Sequence, residues 1–132
     1  MIDERFLLLR PDRTLAAAPE RPQDFSGNVW IQPLRRSDAP GSVEVLAVFF
    51  EPGARTRPHV HGTDQVLVFV EGEGVVATEG ERRLVRAGDV VWIPAGLWHW
   101  HGATKTAAAC HLSIKPPGPT DWNPPLRDWE DW

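Results

Sequence analysis

From position 29 onward the chain alternates between short runs of β-branched, aromatic and aliphatic residues and clusters of turn formers. Eight such runs read as strands, over 29–31, 43–50, 65–70, 75–78, 83–85, 90–93, 98–101 and 107–114. Between them lie GTD at 62–64, EGEG at 71–74, AGD at 87–89 and PAG at 94–96, each a plausible reversal. No segment sustains a helical period. The run 65–70 is apolar at nearly every position, so it is expected to be covered on both faces by a second sheet or a partner subunit. Short strands joined by tight turns in 132 residues predict an all-β jelly roll of two packed antiparallel sheets, whose closure shields the strand edges.

Two segments fall outside this pattern. Residues 1–28 read as an N-terminal arm: a short apolar piece, Phe6 to Leu9, precedes a proline-broken stretch, and such an arm is expected to pack on a neighbouring subunit of a homodimer or homotetramer. The barrel is assigned to 29–115. Residues 116–132, rich in Pro and Trp, read as a tail lying extended on the barrel or on a partner. Trp122, Trp129 and Trp132 are expected to anchor that tail or a dimer contact rather than to cover a pocket.

Composition narrows the function. A net charge of −4 with scattered arginines offers no basic field for nucleic acid. The single cysteine, Cys110, permits no intrachain disulfide, and the apolar run near the N-terminus is too short for a signal core or a membrane span. A cytoplasmic protein acting on a small molecule, with no nucleic-acid or membrane partner, is the expectation.

All five histidines fall in two short windows, PHVHGTDQ and LWHWHGATKTAAACH. In an extended segment His59 and His61 share a face, as do His99 and His101. A three-residue turn at 62–64 would set Gln65 opposite His61, and a turn centred on Lys105 would set His111 across from His99. Any one of these residues alone would most often be an ordinary core or surface histidine. Together they are hard to explain that way, because each unpaired imidazole buried in a small barrel costs roughly 1–3 kcal/mol. A divalent metal satisfies them, and imidazoles suit Mn, Fe, Zn, Ni or Co. Three histidines and a glutamine carry no charge, so the ion would keep its full positive charge and act as a strong Lewis acid.

The stretch Gly53, His59-Val60-His61, Gln65 and Gly72, followed by Gly88, Pro94, Gly96 and His99, resembles the two motifs of the cupin family. Gln65 stands where the first motif usually has Glu, and Ala103 stands where the second usually ends in Asn. With Gln65 the chain is most similar to small bacterial cupins that include manganese-dependent hydroxynitrile lyases. That resemblance implies a cupin barrel and one divalent ion per chain, Mn first, held by His59, His61, Gln65 and His99. It further implies His111 as acid/base, His101 orienting it or returning the proton, and a pocket lined by Thr56, Leu46, Val48 and Lys115. Lys115 replaces an expected amide and Leu46 is bulkier than expected, which points away from an aromatic cyanohydrin as the natural substrate.

The leading expectation is therefore a metal-dependent lyase for small α-hydroxynitriles. An Fe(II) dioxygenase, a non-catalytic small-acid binder and a metal-assisted isomerase or cyclase are the alternatives. Three further signals are assigned structural roles. Gly72-Glu73-Gly74-Val75-Val76-Ala77 fits a loose dinucleotide fingerprint but is read as a hairpin turn, Cys110 as a buried thiol, and Asp89 as a turn cap.

Overall fold

Two five-stranded antiparallel layers share one long strand in the computed structural model, which describes residues 6–132. The strands are β1 (Phe25–Ser26), β2 (Val29–Arg35), β3 (Glu44–Phe50), β4 (Arg55–Thr56), β5 (Val60–His61), β6 (Gln65–Thr78), β7 (Glu81–Arg86), β8 (Val90–Ile93), β9 (Trp100–Ala103), β10 (Ala109–Lys115) and β11 (Thr120–Asp121). One layer runs β2-β3-β10-β6-β8 and the other β1-β4-β9-β6-β7, while β5 and β11 form a separate two-stranded ladder. This is the jelly-roll barrel expected. The first five residues of the arm lie outside the described residues.

The long β6 corrects one expectation. Residues 71–74 do not reverse the chain; the strand continues through them and bends from one layer into the other. Gly72 takes a φ of +75°, and a Cβ there would overlap the Ala108 carbonyl oxygen, while a Cβ on Gly74 would overlap the Phe69 ring. Both glycines are required by close approach at a bend with a register shift, a role that looks like a turn in the sequence. Within the chain itself β6 is covered fully on one face. Gln65, Leu67 and Phe69 are buried, whereas Val66, Val68 and Val70 on the other face are only half-buried.

Val29, Val48, Phe50, Leu67, Phe69, Ile93 and Ala103 form the core. Trp98 and Trp100 point away from it and pack with Val75 and Ala77. The tail is more structured than an extended surface segment: β11 pairs with β5, and a short 3-10 turn at Trp129–Asp131 carries Trp129 and Trp132 onto the Trp98–Trp100 cluster. Pro33 is tolerated because β2 ends its layer, and beyond the Ala17–Ile31 bridge no strand pairs with its outer edge among the described residues. Asp89 accepts the backbone N–H of Arg86 at 2.8 Å, the turn-capping role assigned to it. Cys110 is buried, and burial raises its thiol pKa to about 12, which removes it as a nucleophile. Among the described residues no helix is long and apolar enough to cross a membrane.

Candidate metal centre

The histidines come together by a route different from the one their spacing suggested. β5 does not pair with β6; instead His59 and His99 form an isolated antiparallel bridge, with His59 N–H donating to the His99 carbonyl at 3.0 Å and the reverse bond at 3.2 Å. His61 is fixed by β11, and Gln65 opens β6 opposite Ile93 of β8. β9 and β10 belong to different layers, so His111 does not face His99. Across the barrel interior it meets His101, Nε2 to Nδ1 at 3.1 Å. Parity placed each imidazole on the correct side of its strand, but the pairing partners were set by the crossover between layers.

One nitrogen of each candidate ligand is already engaged. His59 Nδ1–H donates to the Arg57 carbonyl at 2.7 Å and His99 Nδ1–H to the Leu97 carbonyl at 2.9 Å, each two residues back along its own chain. His61 Nδ1 is engaged by the Thr120 hydroxyl at 2.9 Å. These bonds leave Nε2 of each ring with a free lone pair. One candidate ligand atom from each of the three buried histidines can be chosen so that all lie within 4.8 Å of one another. Gln65 donates through Nε2 to Ser113 Oγ at 2.8 Å, which leaves Oε1 as an acceptor. Among the described residues, His61 Nε2, His99 Nε2 and Gln65 Oε1 are all buried without a partner. Convergent acceptors left bare in this way fit a divalent cation, and the neutral N₃O donor set suits a first-row transition metal.

Electrostatics agree with that reading. Burial drives His61 and His99 down to about 4, with the neighbouring imidazole of His99 and the Lys115 ammonium adding to the effect on His61. His59 falls well below its ordinary value through burial and then through His99 and His61. All three rings are therefore neutral at pH 7, the form in which they can coordinate. His101 is likewise depressed by burial and by His111, and burial takes His111 to about 3, so both rings are neutral at pH 7.

These groups open onto a cavity of about 430 Å³. Thr56, Leu46, Val48 and Lys115 all line it, as do His59, His61, Gln65, His101 and His111. His99 is not on its wall, but its ring centroid lies 4.2 Å from that of His59. Thr56 Oγ1 accepts the His101 backbone N–H at 3.2 Å, so it ties β4 to β9 as well as lining the pocket. Trp122 corrects a second expectation. It stacks on His59 with centroids 4.2 Å apart and planes at 27°, packs against Phe25, and forms part of the cavity wall rather than an anchor. Ser113, Thr120 and Phe25 were also missed. Ser113 was legible by parity, two residues from His111; the others sit in segments with no pattern to read.

A cupin domain model matches residues 46–115. This chain belongs to the cupin family. The (R)-mandelonitrile lyase of Granulicella tundricola is 43% identical over 101 residues, covering 75% of this chain and 77% of that protein. A gentisate 1,2-dioxygenase from a Ralstonia species is 34% identical over 70 residues, but the match takes in 52% of this cupin and 20% of the dioxygenase. Among solved structures, a cupin-like protein from Thermotoga maritima superposes with a TM-score of 0.78 at 34% identity, covering 97% of this cupin and 94% of that chain.

Proposed function

We propose that this cupin is a metal-dependent lyase that cleaves small α-hydroxynitriles to a carbonyl compound and cyanide. The observation that carries the reading is the His101–His111 pair, two neutral imidazoles 3.1 Å apart on the wall of the cavity that also exposes the candidate metal ligands. The likeness to the mandelonitrile lyase supports it. His59, His61, Gln65 and His99 would hold the ion; when bound it supplies a Lewis-acidic positive charge for the anion that develops as the C–C bond breaks. Mn(II) is the ion proposed for the cell.

The chain's own part is proton traffic and positioning. His111 takes the substrate hydroxyl proton, the oxygen lone pair forms the carbonyl, and the electron pair of the C–C bond leaves with cyanide. His101 shares the proton through its hydrogen bond to His111 and returns it to the leaving group as HCN. Phe50 and Phe69 pack against the His111 ring, with centroids at 5.3 and 5.2 Å, and keep water from it. His111→Ala is expected to lower cyanide release from mandelonitrile by roughly 10²–10⁴-fold, the usual worth of a positioned acid/base. Metal content by elemental analysis should stay at the wild-type level. Wild-type protein that releases no cyanide above background removes the proposal.

The matched dioxygenase segment favours a second reading, in which the same ligands hold Fe(II) and open positions admit O₂. Oxygen uptake with a catechol would select it, and full activity under anaerobic conditions would exclude it. For assembly, Phe6, Leu7, Leu8 and Leu9 expose 84, 61, 70 and 43% of their surface, which supports the arm packing on a second subunit.

A further inference from the structure

The three imidazoles are not held alike. His59 and His99 lean on carbonyls of their own chain segment, whereas the His61 ring leans on Thr120, 59 residues later and in the C-terminal tail. The tail reaches that point through a built path. Pro119 O accepts the Gly62 N–H at 2.9 Å, Thr120 and Asp121 pair in register with His61 and Val60, and Gly118 passes so close to Thr63 that a Cβ would come within 2.8 Å of its methyl. Two residues on, Trp122 lays its indole on His59. Beyond it the tail is fastened again: Trp98 Nε1 donates to Pro125 O at 2.7 Å, Trp129 Nε1 donates to Thr56 O at 3.0 Å, and the Arg55 guanidinium sits 4.1 and 4.7 Å from the Trp129 and Trp132 rings. Thr120 and Trp122 are thus delivered to two metal-facing rings by a segment docked on both sides of them.

We infer that the tail is a metal-linked strap in which Thr120 positions His61 for the ion. With Nδ1–H donated to the Thr120 hydroxyl, the His61 ring is fixed in the tautomer and rotation that aim Nε2 at the site. Without that acceptor a buried N–H is left bare and the ring is free to turn. Coupling of this kind is reciprocal: a docked tail tightens the ion, and the ion tightens the tail. Thr120 is a positioning residue, since it acts through His61. The inference rests on His61 as a ligand and does not depend on lyase activity.

Co(II) is a suitable probe because its visible bands report both occupancy and ligand geometry. Thr120→Val should weaken Co(II) binding to the full-length chain by about 10–100-fold and alter those bands, while Thr120→Ser, which keeps the hydroxyl, should stay within about threefold of wild type. In the wild-type chain, hydrogen exchange at the amides of 120–122 should slow by a comparable factor when Co(II) is added. Unchanged Co(II) affinity in a folded Thr120→Val protein overturns the inference. So does tail exchange that ignores the ion, a result that decides the matter even where the valine variant fails to fold.

Discussion

Along Trp98–His101 the side chains alternate between two buried clusters, and each cluster resolves the burial of polar groups in its own way. On the outer face, Trp98 and Trp100 join Trp129 and Trp132 around Arg55, which is 9% exposed. The guanidinium lies 4.9, 4.1 and 4.7 Å from three indole rings and donates to the Trp129 carbonyl. Burial and the nearby Arg82 lower its pKa to about 10, so it is still a cation at pH 7, but a satisfied one. On the inner face the histidines are neutral, and candidate ligand nitrogens of His59, His61 and His99 lie within 4.8 Å of one another. Among the described residues, the Trp100 indole N–H is the one fully buried side-chain polar atom of the outer cluster's four indoles and Arg55 that lacks a hydrogen-bond partner. A lone unpartnered donor is a packing cost; several buried acceptors aimed at one point fit a cation.

The largest test of that contrast is His99→Ala. It should reduce bound metal to background and cyanide release by roughly 10³-fold, the several kcal/mol of charge stabilisation lost at 1.36 kcal/mol per decade. The indole cluster on the opposite face should be untouched, giving a near-UV circular dichroism spectrum like that of metal-free wild type. Retained stoichiometric metal would mean that the inner cluster is ordinary core. The converse variant, Trp100→Ala, removes a fully buried indole and should cost about 3–5 kcal/mol of stability in denaturant unfolding. At saturating Mn(II) the folded fraction should still bind one ion per chain. Loss of that stoichiometry would show that the two faces of β9 are not separable.

How much of this contrast was legible beforehand depended on distance along the chain. The His59–His61 and His99–His101 pairs, and the opposite placement of Trp98 and Trp100, follow from strand parity, a local property that survives any topology. The strand partners of those residues are not local. His111 facing His101 rather than His99 follows from β9 and β10 joining different layers, and Gln65 lying opposite Ile93 of β8 rather than in a hairpin with His61 follows from β5 pairing with the tail. Two-residue strands such as β4, β5 and β11 are too short to show alternation, so the tail's approach to His61 had no signature. Gly72 was misread because a bend with close backbone contact and a hairpin turn both demand glycine.

Acid should separate the clusters next. Each inner histidine titrates lower in the folded protein than its ordinary 6.5, with His61 and His99 at about 4 and His111 at about 3. The unfolded chain therefore binds more protons, and stability rises with pH. That contribution is complete above about pH 6.5 and is lost progressively as pH falls toward the folded values. Metal-free protein followed by thermal unfolding should lose Tm between pH 6.5 and 4. Variants with His101 and His111 replaced by Gln should lose less. Equal losses in both proteins would place the acid sensitivity elsewhere, in the exposed ion pairs of the outer surface.

The smallest expected effect concerns the rim. Lys115 lines the cavity, lies close enough to His61 to depress its pKa, and makes no ion pair within 4.0 Å among the described residues. Its strand neighbour Glu44 stands directly across in the β3–β10 register without closing on it. A substrate carrying a carboxylate at its far end would meet that ammonium at the mouth, whereas mandelonitrile offers it nothing. Lys115→Gln should therefore lower kcat/KM for a carboxylated hydroxynitrile by at most about fivefold, the 0.2–1 kcal/mol of a solvent-screened pair, and leave mandelonitrile unchanged. The difference should fade in 1 M salt, where the screening length falls to about 3 Å. An equal drop for both substrates would make Lys115 a packing residue of the rim, and the positive charge of the site would then reside wholly with the ion that the inner cluster holds.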